Sequence, residues 1–293
     1  MVDFAFKQLF GKPGNESILM AFLNAALKLY ANERITSIEY LNPEMEPRHL
    51  EDKRSILDIH AQTENRTRIN IEIQLTNRFD MEKRTLYYWS NMYASQMRKG
   101  MPYTELAKTI AINILNFRYV KASDRYHTTF HLYEDTERFV LTDLLEIHFM
   151  EIPKLMVNWR KQTVNLHEDM LVRWLLLLEA DENEEIRREL EAIAMQDPEM
   201  KRAFEEWEEI SRDAHAWAEY ESRRKAILDE AAVVREAEIR EQRARQEGRQ
   251  EGQREAKLDM VRSLLSYGVD MDAICKASGL TRQEVEEVKR HLQ

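Results

Sequence analysis

The sequence predicts an α/β protein with a mixed sheet in its first half and a largely α-helical second half. Three observations predict this class. Runs of β-branched and apolar residues alternate with helical patterns as far as residue 152, which is typical of an α/β unit. No glycine lies between Gly100 and Gly248, and no proline follows Pro198, so turn-forming residues belong mostly to the first half. From His167 onward, charged and apolar residues recur at helical spacing.

The first half contains the elements of the predicted sheet. Helical spacing predicts a helix at 16–31, and TIAINILNF at 109–117 predicts a buried central strand because it is rich in β-branched and apolar residues. The other predicted elements are strands at 37–42, 128–134 and 144–152, a hairpin at 55–75, and a helix at about 80–99 that Gly100 ends. This order favours a mixed sheet.

The second half is predicted to be helical throughout. An apolar helix is expected at 171–180, and 219–257 is predicted to be an exposed helix with intrahelical ion pairs, because its apolar residues keep no seven-residue repeat. Near the end, DAICKASGLTRQEVEEV (272–288) resembles a helix-turn-helix. A small bundle for packing or dimerisation is the alternative, which the acidic second helix of this segment favours.

The positions of glycine and proline and the change in composition predict three segments of the chain. They are an α/β domain at 1–165, a helical extension at 166–257 and a small three-helix tail at 258–293. In the tail, Gly268 and Gly279 are expected to end the first two helices. Thr281 and Glu284 have the spacing of a capping box for the third.

The composition fits an intracellular protein of one or two domains. The chain has 293 residues, of which 43% are hydrophobic and 33% are charged. The single cysteine, Cys275, excludes a disulfide framework and a cysteine-built zinc site within the sequence, and is typical of a reducing compartment. We find no secretory signal and no apolar run of the roughly 18 to 20 residues that a membrane span needs. We therefore expect a cytoplasmic protein with no membrane partner.

The net charge of −10 is unevenly distributed along the chain. Residues 1–165 contain 22 basic and 21 acidic side chains, whereas residues 166–293 contain 21 basic and 32 acidic side chains. Within the first half, residues 60–125 hold 11 basic against six acidic residues. A surplus of this kind attracts phosphates, although a solvated surface is the commoner reason for it.

The hairpin at 55–75 places two carboxylates opposite each other. If its loop is centred on Asn65, the numbers of paired residues sum to 130, and Asp58 lies across from Glu72. Opposed residues have Cβ atoms about 4.5 to 5.5 Å apart, and opposed like charges destabilise a sheet. A bound divalent cation would remove that conflict.

These residues have the chemistry of a magnesium site. Asp58, Glu72 and the backbone carbonyl of Ile73, between Glu72 and Gln74, offer the oxygen ligands that Mg²⁺ or Mn²⁺ accepts. Such an ion polarises a phosphodiester and lowers the pKa of an attacking water. The alternative is an ordinary amphipathic hairpin whose polar face is solvated.

Several separated motifs resemble one protein family. They are VDFAFKQLFG (2–11), LDIHAQTENRTRINIEIQ (57–74), RTLYYWSNMYASQMRKG (84–100), TIAINILNF (109–117) and LTDLLEIHFMEIPKL (141–155). Their order resembles the Rpn family of recombination-promoting nucleases, which are transposase-like proteins of the PD-(D/E)XK superfamily. The resemblance covers roughly residues 2–240. It implies a restriction-endonuclease-like mixed-sheet core and a Mg²⁺-dependent DNA endonuclease of low sequence specificity that promotes recombination.

The resemblance also implies roles for individual residues. The first acidic position of the family falls on Asp58, and its D/E-x-K pair falls on Glu72 and Gln74, with Gln74 where the superfamily has lysine. Asp58 and Glu72 are then the Mg²⁺ ligands, and Gln74 orients the water or an oxygen of the scissile phosphate. Glutamine carries no positive charge, so this departure puts the strength of the activity in doubt.

Other polar residues are weaker candidates for the site. Asp3 and Lys7 match the opening motif of the family, and Lys7 is a candidate DNA contact. Arg84 and Gln96, on the helix after the hairpin, are predicted to face DNA. His60 shares a face with Asp58 and is a candidate base or phosphate contact, although a solvated strand histidine is the commoner case.

Two other functions remain open from the sequence. The same fold without effective catalysis would be a DNA-binding or oligomeric interaction protein, and the C-terminal helices would then carry the surface for homo-oligomers. In a further alternative, the acidic helices of 166–293 cover the basic face of the first half and thereby repress its nuclease activity.

Overall fold

Apolar and β-branched residues build a six-stranded mixed sheet. The computed structural model describes residues 2–45, 55–56, 58–212 and 214–290. The sheet contains β1 (Ile38–Tyr40), β4 (Ile59–Thr63), β5 (Arg68–Gln74), β6 (Thr109–Leu115), β7 (His127–Tyr133) and β8 (Val140–Glu151), and β2 (Glu44–Met45) pairs separately with β3 (Ser55–Ile56). The strand order is β1-β4-β5-β6-β8-β7, with β5, β6 and β8 parallel and the outer pairings antiparallel. Every residue of β6 is buried, which confirms the predicted central strand.

The hairpin of β4 and β5 has the register that the sequence predicts. Ile59 lies opposite Ile71 and His60 lies opposite Asn70, so the paired numbers sum to 130. The loop is closed by a hydrogen bond of 3.0 Å from the Thr63 N–H to the Thr67 carbonyl. Because β4 begins at Ile59, position 58 comes one residue before the ladder, level with position 72.

The described residues form ten α-helices. They are α1 (Val2–Gly11), α2 (Glu16–Ala26), α3 (Met81–Ser95), α4 (Ile152–Arg160), α5 (Met170–Leu177), α6 (Glu184–Ala194), α7 (Pro198–Arg212), α8 (Ala214–Ser266), α9 (Met271–Ser278) and α10 (Arg282–Arg290). Helix α1 was not predicted, although Phe6, Leu9 and Phe10 lie one turn apart on one face and are fully buried. Helix α4 was also missed; Pro153 occupies its first turn, where proline is tolerated.

Two helices end several residues before the ends that the sequence predicts. The helix predicted at 16–31 ends at Ala26, because the backbone of Lys28 takes a positive φ of 56° that no α-helix contains. The helix predicted at 80–99 ends at Ser95, and the Gln96 side chain that follows binds the backbone of Ala107. The ends of both helices are therefore set by backbone geometry and by contacts from distant segments.

The two faces of the sheet bury different helices. On one face, the isoleucines of β5 and β6 share a core with α1, α2 and α5 to α7, and the Phe10 and Trp174 rings lie 5.8 Å apart. On the other face, Met81 of α3 packs with Ala111 and Phe149. Since side chains alternate along a strand, Asn70, Glu72 and Gln74 lie on the α3 face.

The chain forms two compact units, residues 1–227 and residues 228–293. Helices α5 to α7 thus share the core of the predicted α/β domain, and the division at 165 and 257 stays a prediction. The α/β class with a helical second half is confirmed. Among the described residues, no helix is long and apolar enough to cross a membrane.

In the second unit, the glycines and the capping box that were predicted to bound its helices have the expected geometry. Gly268 and Gly279 have positive φ values of 71° and 70°. The Thr281 N–H donates to the Glu284 carboxylate at 2.7 Å, and the Glu284 N–H donates back to Thr281 Oγ1 at 3.4 Å, so the capping box is confirmed. The first predicted tail helix is wrong as a separate element, because it forms the end of the 53-residue α8.

Trp174→Ala tests whether α5 belongs to the core of the sheet. Trp174 is 2% exposed, and truncating a buried tryptophan costs about 3 to 5 kcal/mol. We expect urea unfolding to show a loss of this size. Met195→Ala, at a position 81% exposed, should change the free energy of unfolding by less than about 0.5 kcal/mol. Equal effects of the two substitutions would contradict the shared core.

Candidate active site

Two hydrogen bonds hold Asp58 and Glu72 together at the open end of the hairpin. The Asp58 N–H donates to Glu72 Oε1 at 3.2 Å, and the Ile73 N–H donates to Asp58 Oδ2 at 2.9 Å. The Asp58 side chain thus accepts from the backbone of Ile73, the residue after Glu72. The carboxylates that the sequence places opposite each other are therefore brought together.

The Glu72 carboxylate is buried, and this changes its acidity. Its side chain is 2% exposed. Burial and the neighbouring negative charge of Asp58 raise the pKa of Glu72 to about 7, although Arg84 lowers it. The ionised carboxylate is thus held in the folded protein against an electrostatic penalty.

Two cations from different helices contact the carboxylates. Lys7 of α1 lies with its Nζ 2.9 Å from Asp58 Oδ1. Arg84 of α3 lies with Nη2 3.3 Å from Glu72 Oε2 and donates through Nη1 to Gln74 Oε1 at 3.3 Å. The helices pack on opposite faces of the sheet, so the carboxylate pair receives one cation from each of them.

The Gln74 side chain links Glu72 to Arg84 through hydrogen bonds. Its Nε2 donates to Glu72 Oε2 at 3.4 Å, while its Oε1 accepts from Arg84. Asn70, which is 1% exposed, donates to Glu72 Oε1 at 3.4 Å. Asn70 was not among the candidate site residues, although it shares the polar side of the strand with Glu72 and Gln74.

The remaining candidates lie in other surroundings. His60 is buried, its Nδ1 lies 3.0 Å from the Asn42 carbonyl, and burial lowers its pKa. Gln96 is buried and binds the Ala107 backbone and Thr109 Oγ1. These contacts give Gln96 a structural role, and the DNA contacts of both residues stay predictions. The side chain of Asp3 is outside the described part of the structure.

The oxygen atoms of the site suit a hard cation. Two carboxylates lie side by side, and the Ile73 N–H points to Asp58, so the Ile73 carbonyl lies on the same edge of the strand. Oxygen donors of these types are those that Mg²⁺ and Mn²⁺ prefer. Among the described residues, no group of three or more His, Cys, Asp and Glu side chains could hold a metal. Water or phosphate oxygens would therefore have to complete the coordination.

Glu72→Gln should stabilise the metal-free protein at alkaline pH. The pKa of Glu72 is raised from 4.5 to about 7, so its ionisation costs stability as pH rises through this window, and the full penalty is present above pH 7. At pH 8 in EDTA, we expect the substitution to increase the free energy of unfolding by about 2 to 3 kcal/mol. The gain should shrink toward pH 5.

Glu64→Gln is the matched control, because Glu64 is exposed on the same hairpin and its pKa is lowered from 4.5, so any change in the free energy of unfolding should be the same at pH 5 and at pH 8. A gain for Glu72→Gln that does not depend on pH, measured by urea unfolding, would contradict this account of the carboxylate.

Comparison with known protein families supports the superfamily that the motifs resemble. The family model described as PD-(D/E)XK nuclease family transposase matches residues 1–237. No curated protein and no solved structure gave a significant match. The mixed sheet and the helical second half are consistent with this family. Since the match covers more than half of the 293 residues, the chain belongs to the PD-(D/E)XK nuclease family of transposases.

Proposed function

We propose that this protein is a Mg²⁺-dependent DNA endonuclease that hydrolyses phosphodiester bonds with low sequence specificity and acts in recombination. One observation carries the proposal. The carboxylates of Asp58 and Glu72 are tied together by the hydrogen bonds from the Asp58 and Ile73 N–H groups, in a chain that belongs to a nuclease family.

The metal ligands in this proposal are Asp58, Glu72 and the Ile73 carbonyl. When bound, Mg²⁺ or Mn²⁺ would polarise the phosphodiester and lower the pKa of the attacking water. The pKa of Glu72, raised to about 7 by burial and by Asp58, means that Glu72 binds a cation best when its proton is lost. Activity should therefore fall as pH decreases below 7.

Gln74 and Lys7 have supporting roles in the proposal. The Gln74 amide, which contacts both Glu72 and Arg84, orients the attacking water or an oxygen of the scissile phosphate. Lys7 balances the charge of Asp58 from 2.9 Å. This cation lowers the repulsion between the carboxylates before the metal arrives.

DNA is the proposed substrate and partner. The family supports a nuclease, and the 11 basic against six acidic residues of 60–125 would attract a polyanion. The single cysteine supports a cytoplasmic location. Homo-oligomers through the C-terminal helices stay part of the proposal.

A second candidate is a DNA-binding or oligomeric protein on this fold with weak or no catalysis. The observation that favours it is Gln74, which brings no positive charge to the position where the superfamily has lysine. Strong, salt-dependent DNA binding without metal-stimulated cleavage would support this candidate.

Nicking of supercoiled plasmid tests the catalytic proposal. We expect Mg²⁺ or Mn²⁺ to stimulate nicking and EDTA to abolish it. Asp58→Asn and Glu72→Gln should each reduce the rate at least about 100-fold, because each removes a negative ligand of the metal.

Glu64→Gln makes the same chemical change at the tip of the hairpin, where the carboxylate binds the backbone of Thr36 and Ser37. It should retain nicking within about threefold of wild type. If wild type nicks no faster than Asp58→Asn, the catalytic proposal fails and the second candidate is favoured.

A further inference from the structure

A cation of helix α3 contacts the side chain at position 74. Gln74 is neutral, yet its side-chain oxygen accepts a hydrogen bond of 3.3 Å from Arg84 Nη1. The Arg84 Nη2 lies 3.3 Å from Glu72 Oε2. A full positive charge is thus present beside the E-x-Q pair, delivered by α3 instead of β5.

We propose that Arg84 is the catalytic cation of this site and replaces the lysine that residue 74 lacks. Its guanidinium contacts a non-bridging oxygen of the scissile phosphodiester and stabilises the negative charge that develops there during hydrolysis. This inference rests on the proposed nuclease function and specifies which residue supplies the positive charge.

Three contacts fix the Arg84 guanidinium before any substrate is present. Besides the hydrogen bonds to Glu72 and Gln74, its Cζ lies 5.3 Å from the centre of the Tyr88 ring. Tyr88 follows Arg84 by four residues, which places both on the same side of α3. Preorganised donors of this kind stabilise a transition state more than mobile ones, because no reorganisation is needed during the reaction.

Arg84 compensates the charge of the buried Glu72 carboxylate, but its own packing leaves one donor unpaired. Its Nε is buried and has no hydrogen-bond partner within the described residues, and an unpaired buried donor costs folding free energy. The side chain is nevertheless 25% exposed, so a phosphate can reach it. Arg84 is therefore paired with Glu72 and Gln74, while about a quarter of its side-chain surface stays exposed.

Arginine suits this position better than the other nearby cation. A guanidinium has five donors in a planar fork, so it can keep Gln74 and still bind a phosphate oxygen. Lys7 lies against Asp58, on the other side of the carboxylate pair. Only Arg84 contacts both Glu72 and Gln74 among the hydrogen bonds found in the described residues.

A double substitution that removes the positive charge at residue 84 and adds one at residue 74 tests the inference. We expect Arg84→Gln to reduce Mg²⁺-dependent nicking by about 10²- to 10³-fold. Adding Gln74→Lys to this variant should raise the nicking rate at least tenfold above that of Arg84→Gln. A lysine at position 74 of β5 returns a positive charge to the side of Glu72. Arg84→Lys, which keeps the charge without the fork, should retain more activity than Arg84→Gln. No rescue by Gln74→Lys in a folded double variant would overturn the inference.

DNA affinity supplies a readout that does not depend on cleavage. In the Asp58→Asn background with Mg²⁺, binding of a short duplex is measured across salt concentrations. Arg84→Gln should reduce the slope of log affinity against log salt by about 0.9, the value for one phosphate contact. Lys83→Gln removes the same charge from an exposed neighbour on α3 and should change the slope less.

The experiments distinguish a failure of the proposed nuclease function from a failure of the proposed role of Arg84. If wild type nicks no faster than Asp58→Asn, the proposed function fails, and the salt slope alone then decides whether Arg84 contacts a phosphate. If wild type nicks and Arg84→Gln nicks equally fast, the nuclease proposal stands and the role of Arg84 is refuted. Equal slopes for Arg84→Gln and Lys83→Gln would also refute it.

Discussion

The repulsion between the Asp58 and Glu72 carboxylates is the constraint on which the rest of the site depends. Glu72 is 2% exposed and lies beside Asp58, and these surroundings raise its pKa to about 7. A fold selected only for stability would place a neutral or apolar side chain at this position. The hydrogen bonds from backbone N–H groups, the amides of Asn70 and Gln74, and two cations all reduce the cost of keeping the pair.

The topology of the sheet explains how these groups converge. Strand β5 lies between the antiparallel β4 and the parallel β6, so the residue before β4 and the end of β5 meet at one place. Helices on opposite faces then bring Lys7 and Arg84 to the carboxylates. The positive charge missing from Gln74 is thus supplied by Arg84 of another element, and the three-residue motif E-x-Q does not by itself describe the charge of the site.

The sequence predicted the local features of the site and missed those that depend on distant residues. Alternation and the centre of the loop fixed the pairing of β4 with β5, because a strand has a strict two-residue period. Helix α1 was missed, although its buried residues Phe6, Leu9 and Phe10 have helical spacing. Lys7 and Arg84 were candidates for DNA contacts, but their ion pairs with the carboxylates join separate elements, and no periodicity reports such contacts. The shared core of α5 to α7 with α1 and α2 also arises from packing, whereas composition suggested a boundary near 165.

The central claim is that the two carboxylates form a metal site. The most direct measurement is a crystal structure of the protein soaked in Mn²⁺, in which anomalous scattering locates the ion. The account predicts an ion bound by Asp58, Glu72 and the Ile73 carbonyl. Manganese absent from this position, with Lys7 and Arg84 still paired to the carboxylates, would contradict it.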